Sequence, residues 1–162
     1  METASSLPLK NRAEAFVDFV ISRLREDTAF GAALRRADNP ATEYQSWEHL
    51  ADWCDLEKPW DRLPFTVIAG SLARAKPEKD GQVGIGRALA CCYEDEQNAA
   101  PAKARLRRLL ACGSVEEACH ILRPILSLVQ SKGQPIGYGR LLHELLYFGE
   151  NQKLKWAGDF YG

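Results

Sequence analysis

Between Arg12 and Arg25 the apolar residues Ala13, Phe16, Val17, Val20, Ile21 and Leu24 recur every three or four positions. Nowhere along the chain do apolar and polar residues alternate with the two-residue period of a strand. The first pattern puts its apolar residues on one stripe of a helix, and a helix with one such stripe must bury it against other helices. A chain of 162 residues that is 46% hydrophobic has enough apolar surface to build that core without disulfide or metal staples. The expected fold is therefore all-α.

The pattern repeats down the chain. A second helix carries Phe30 and Leu34 and ends near Asp38-Asn39-Pro40, since proline disfavours helical geometry in the residue before it. A third places Tyr44, Trp47, Leu50 and Cys54 on one side. A fourth, Asp61 to Ala75, takes Asp61 as N-cap, tolerates Pro64 in its first turn and points Phe65, Ile68 and Leu72 inward. Lys76 to Gly84, with Pro77 and Gly81 among charges, reads as an exposed connection. It divides an N-terminal helical lobe (10–78) from a C-terminal one (84–162), together one compact unit of about eight to nine helices.

The second lobe opens with Gly86 to Tyr93 and an acidic, solvated loop, Glu94-Asp95-Glu96. A helix with Pro101 at its first position follows and ends at Gly113. Ser114-Val115-Glu116-Glu117 is a capping box for the next helix, which buries Val115, Ala118, Cys119, Leu122, Leu126 and Val129 and is kinked or split by Pro124. After the breaker-rich stretch Gly133 to Gly139 come a helix over about 140–148 and a last one over about 150–161, presenting Leu154, Ala157 and Tyr161 together. There is no internal repeat and no low-complexity tract.

Little of this supports catalysis. His143-Glu144 begins like a zinc-protease motif, but position 147 holds Tyr147 instead of a second histidine. Cys112, Cys119 and His120 match no familiar metal spacing. Gly84-Ile85-Gly86 lacks both a preceding strand and a third glycine, so it reads as a helix entry with close backbone packing rather than a dinucleotide loop. The five cysteines follow no C-x-x-C pattern and read as buried small hydrophobes in a reducing compartment. Trp47, Trp53, Trp60 and Trp156 read as core or interface residues. No apolar run approaches the ~20 residues of a membrane span, and Met1 to Lys10 lacks the build of a signal peptide, so a cytoplasmic location is expected.

Charge carries the chemical signal. Residues 1–80 hold 11 Lys/Arg against 14 Asp/Glu, whereas residues 81–162 hold 10 against 8. No acid occurs between Glu96 and Glu116, while Lys103, Arg105, Arg107 and Arg108 crowd the polar side of one helix whose other side carries Leu106, Leu109 and Leu110. Arginine grips phosphate in a fork and stacks on bases, so such a face suits nucleic acid without sequence specificity. Pairing of the same arginines with the acidic N-terminal half is the competing reading.

Taken in order, Gly84-Ile85-Gly86-Arg87-Ala88-Leu89-Ala90, Arg105-Leu106-Arg107-Arg108-Leu109-Leu110, Leu122-Arg123-Pro124-Ile125-Leu126, Gly139-Arg140-Leu141-Leu142 and Lys155-Trp156-Ala157-Gly158-Asp159-Phe160-Tyr161 resemble the CasB family. That family supplies the small subunit of the type I-E CRISPR surveillance complex, Cascade, and the resemblance spans roughly residues 10–162. It implies a non-enzymatic, cofactor-free subunit, present as two copies beside the backbone and large subunits of a crRNA-containing ribonucleoprotein. Such a subunit helps hold the crRNA–target hybrid and the displaced non-target strand, and stabilises the R-loop. The resemblance carries nucleic-acid contact onto Arg35, Arg36, Arg87, Arg105, Arg108, Arg123 and Arg140, with Lys153 and Lys155 as further candidates. Arg87 equally suits an anchor for a carboxylate between lobes. A purely structural protein–protein scaffold, with no nucleic-acid contact, is the alternative. A hydrolase using Cys119 or Cys112 with His120 or His143 would need an activated thiolate.

Overall fold

Helix α1 (Leu9–Glu26) buries the stripe its sequence announces, with Ala13, Phe16, Val17 and Val20 fully shielded from solvent. The computed structural model describes residues 9–93 and 96–162, so Glu94 and Asp95 of the predicted acidic loop lie outside the described residues. After α1 come α2 (Thr28–Arg35), α3 (Trp47–Leu50), α4 (Pro59–Ala75), α5 (Ile85–Cys92), α6 (Glu96–Leu110), α7 (Val115–Ser131), α8 (Tyr138–Leu146) and α9 (Glu150–Tyr161). The protein is all-α. Among the described residues the one β-type pairing is an isolated parallel bridge between Val83 and Ile136.

Helix α4 occupies the centre. Every residue from Pro64 to Ala73 is buried, and α1, α2, α3, α7 and α8 all pack on it. Its polar members are satisfied inside the core. The Thr66 hydroxyl donates to the Leu63 carbonyl at 2.9 Å, and the Ser71 hydroxyl accepts from the Gln130 amide at 2.6 Å. The helix begins at Pro59, two residues before the expected cap Asp61. Proline fits a first helical position because its missing N–H would have no partner there. Asp61 serves α1 instead: its carboxylate receives both Nη atoms of the buried Arg12, at 2.9 and 3.4 Å, and the Asp55 N–H at 2.8 Å. The Arg12 guanidinium also lies 5.1 Å from the Phe65 ring centroid.

Around α4, α1 packs on α8 and α5 on α9. The α5–α9 contact explains Gly86, where a Cβ would collide with the Trp156 carbonyl oxygen. This is the close packing expected of Gly84-Ile85-Gly86. The 76–84 connection starts with Lys76 in the left-handed region, φ 46°, which ends α4. Gly81 and Val83 then donate their N–H groups to the Ile136 and Pro135 carbonyls, and the Asp80 carboxylate accepts from the N–H groups of Tyr138 and Gly139 at 2.7 and 3.0 Å. One apolar cluster runs from Ala13 to Trp156 through both halves of the chain.

Several expectations shift. The predicted third helix is one α turn, α3, entered through a 3-10 turn over Glu43–Ser46. The Ser46 hydroxyl donates to the Glu43 carbonyl and the Trp47 indole to the Glu43 carboxylate, local bonds that compete with helix propagation. Leu50 and Cys54 are buried as expected, but Tyr44 is exposed. Pro101 lies inside α6, not at its start, and α7 runs unbroken through Pro124. Ser114 caps α7 by accepting from the Glu117 N–H, while the Glu117 carboxylate reaches back to the Gly113 N–H. Helix α9 buries Trp156 and turns Leu154 and Tyr161 to solvent, and Trp60 is exposed rather than packed. Cys54, Cys112 and Cys119 are buried, whereas Cys91 and Cys92 are half-buried.

Two outcomes follow from this packing. Gly86→Ala should lower stability by about 1–3 kcal/mol, the usual range for overpacking, read as a drop in the urea midpoint at unchanged slope. Burial pushes the Cys54 and Cys119 thiols up to about 12. Iodoacetamide at pH 8 should therefore modify Cys91 in the native protein while sparing Cys54 and Cys119 until it unfolds, as peptide mass mapping would show.

Candidate nucleic-acid interface

Helix α6 docks on α5 and α7 through Ala102, Leu106 and Leu109, all buried. That register fixes the rest of its surface. Lys103, Arg107 and Arg108 point to solvent with no ion pair among the described residues. Arg105, half-buried, bends across to the end of α5, where its Nη1 donates to the Tyr93 hydroxyl at 2.8 Å and its guanidinium lies 5.9 Å from the ring centroid.

Two thiols, the half-buried Cys92 and the buried Cys112, lie near further cations on this side of the molecule. Burial raises the Cys92 pKa, with Lys132 and Arg105 acting against the rise and Cys91 adding to it; burial and Glu117 raise that of Cys112, with Lys153 and Arg108 acting against them. Lys132, at the end of α7, and Lys153, on α9, therefore flank the α6 cations. Lys153 is half-buried, with its ammonium 5.6 Å from the Phe148 centroid. Lys155 is exposed on the same helix. Lys103, Arg107 and Lys132 are absent from the residues the resemblance singled out. For the first two the acid-free stretch was the available signal; Lys132 belongs to the same cation-rich segment, from Lys103 to Arg140, and the tertiary fold brings it to this side.

The other candidates fall into two places. Arg35 and Arg36 are exposed at the end of α2. Beside them Arg123 is turned inward, donating to the Ala37 carbonyl at 2.6 Å across 86 residues of sequence. Arg74 pairs with Asp38 at 2.5 Å and donates to Gln130 at 2.8 Å. Burial pushes Asp38 above its ordinary value, and Arg74 and Arg123 pull it back. Arg123 thus fastens α7 to the turn after α2, whereas Arg35 and Arg36 remain available.

Arg87 and Arg140 meet elsewhere, on a cleft of about 570 Å³ between the start of α5 and the end of α9, bordered by Gly84, Gly158 and Asp159. Arg87 is exposed and makes no ion pair among the described residues, so it anchors no carboxylate there. Arg140 holds Asp159 at 3.0 Å and approaches Glu144 at 4.0 Å. Its guanidinium lies against Gly84, where a Cβ would meet it.

The imagined thiol centre does not assemble. Cys119 is buried while its neighbour His120 faces solvent, and the Cys119 thiol is pushed up rather than activated. Among the described residues no three His, Cys, Asp or Glu side chains gather as a metal site would need. No helix among them is long and apolar enough to cross a membrane.

Comparison with known proteins places this arrangement. CasB from Thermus thermophilus superimposes with a TM-score of 0.68 at 25% identity, covering 93% of this chain and 97% of that one. CasB from M. ruber gives a TM-score of 0.67 at 22% identity, with coverage of 93% and 92%. A chain of a CRISPR RNA-guided surveillance complex gives 0.72 at 19% identity, with coverage of 94% and 92%. No curated protein sequence matches. The family model for the CRISPR-associated protein Cse2 matches residues 31–161, which takes in every helix from α3 to α9 and the cationic groups of the candidate interface. The chain belongs to the CRISPR-associated Cse2 family.

Proposed function

We propose that this protein is the non-catalytic small subunit of a type I-E Cascade complex, and that the solvent-facing cations of α6 form a phosphate track. The track holds the displaced non-target strand, helps seat the crRNA–target hybrid and so prolongs the R-loop. The observation that carries this reading is the set Lys103, Arg107 and Arg108, which face solvent with no ion pair among the described residues. Strand exchange between a DNA duplex and an RNA–DNA hybrid is close to balanced, so modest contacts to the displaced strand are enough to tip it. With a net charge of −1 the isolated chain has little long-range attraction for a polyanion. Two copies beside other subunits extend the track and raise its effective concentration for the strand.

The deciding measurement is R-loop lifetime and nuclease protection of the displaced strand in the assembled complex. It compares the wild-type subunit, a Lys103→Ala/Arg107→Ala/Arg108→Ala variant, and the complex without the subunit. The variant should assemble normally yet leave the strand exposed and the R-loop short-lived. Normal protection by the variant would overturn the track and favour the scaffold. For the isolated chain, the logarithm of the affinity for single-stranded DNA should fall with the logarithm of salt concentration with a slope of about −2, the value for three neutralised phosphates.

Arg123 should behave differently, because its hydrogen bond to Ala37 is structural. Arg123→Ala removes a charged donor from the carbonyl of the buried Ala37 and should destabilise the protein by about 1–3 kcal/mol. Thermal unfolding would register the loss, while the salt slope for single-stranded DNA should stay unchanged.

A further inference from the structure

The α6 track leaves one buried acid unexplained. Glu144, on α8, is 2% exposed, and neither carboxylate oxygen completes a hydrogen bond among the described residues. The Trp156 indole N–H sits beside it on α9, also without completing one. Its ion-pair partner is Arg140, at 4.0 Å.

Arg140 connects this interior acid to solvent. Its side chain is 43% exposed, and it shares the cleft between α5 and α9 with the unpaired Arg87. Two guanidinium groups lining one cleft, one without an ion pair among the described residues and one with donors left over from Asp159, supply the kind of donors a phosphate ester takes.

We propose that the Arg87–Arg140 cleft binds one phosphodiester group and that Glu144 takes up a proton when it does. This inference rests on the nucleic-acid reading of the chain and adds a second, separately regulated contact to it. An anion on Arg140 draws on the charge that offsets the Glu144 carboxylate. It also brings a like charge toward a buried acid, which favours the neutral form of that acid. Linkage makes the effect reciprocal: the protonated protein binds the anion more tightly.

Burial already pushes Glu144 above its ordinary value; the Trp156 indole, Arg140 and Lys155 act against that rise, and Asp159 adds to it. Affinity at the cleft therefore increases as pH falls through the Glu144 titration. The other groups facing this region are Arg87 from α5, and Glu14 and Asp18 from α1. Asp80 and His143 join them along the opposite flank of Arg140. The α6 track is not coupled to Glu144, so binding there should be flat with pH.

The test uses the full chain at low salt and the dinucleotide TpT, whose single phosphodiester remains ionised from pH 5.5 to 7.5. Arginine side-chain NMR should show TpT shifting the Arg87 and Arg140 Nε–H signals, with affinity at least about fivefold tighter at pH 5.5 than at pH 7.5. Glu144→Gln should hold the acid-side affinity across the range. Calorimetry on the wild-type protein, in buffers of different ionisation enthalpy, should register net proton uptake and needs no variant. A flat pH response, a response that persists in Glu144→Gln, or unshifted Arg87 and Arg140 signals would each overturn the inference. The Lys103/Arg107/Arg108 alanine variant should leave cleft binding intact. Failure at the cleft with strand protection preserved thus removes this proposal alone, and the converse removes the α6 track alone.

Discussion

The complete burial of α4 from Pro64 to Ala73 is the constraint on which the other helices depend. A helix shielded all round needs neighbours on every side, and α1, α2, α3, α7 and α8 supply them with their apolar stripes. Burying a side chain such as Phe65, Ile68 or Leu72 contributes roughly 1.5–3 kcal/mol each. That gain requires the polar groups in the same stretch to stay bonded. Gln130 reaches from α7 to Ser71 and to the Tyr138 hydroxyl, joining three helices through one amide. The outward faces of the surrounding helices, α6 among them on the far side of α7, are then left to carry charge.

The sequence pattern located most of this framework because most of its helices have one wet side. The stripes of α1 and α7 and the Ser114 cap were readable residue by residue. Helix α4 was read as a single stripe of Phe65, Ile68 and Leu72, since Thr66, Gly70 and Ser71 look like a solvent face. Their burial depends on partners such as Gln130 and Asp38, which are remote in sequence. The 39–58 segment escaped for the opposite reason. Side-chain bonds to its own backbone, not periodicity, set its turns, and Tyr44 consequently faces water.

The candidate interface was legible as a region but not as a set of side chains. A stretch without acids between Glu96 and Glu116 is visible in the sequence; which of its cations are free is not. Arg123 and Arg108 look alike in the sequence, yet one is bonded to a carbonyl of the opposite half while the other is exposed. Arg87 and Arg140 likewise come together only because α5 packs on α9 while Arg140 of α8 reaches Asp159 on α9. The low identity of the CasB structures, alongside their matching fold, fits this division. Burial pattern specifies the bundle broadly, while surface charge is placed one side chain at a time.

The connection between α4 and α5 bears on how such a molecule meets proteases. It is the kind of charged, glycine-containing stretch where trypsin usually nicks a folded chain. Lys76 is followed by Pro77, which trypsin does not accept. The bond after Lys79 leads into Asp80, whose carboxylate is bonded to the N–H groups of Tyr138 and Gly139. A protease must draw several residues into an extended strand in its own cleft. Here that would strip Gly81 and Val83 from Pro135 and Ile136 and free the start of α8. The most accessible-looking peptide bond in the sequence is thus guarded by the opening of the fold around it, and its cleavage would report that opening rather than loop motion.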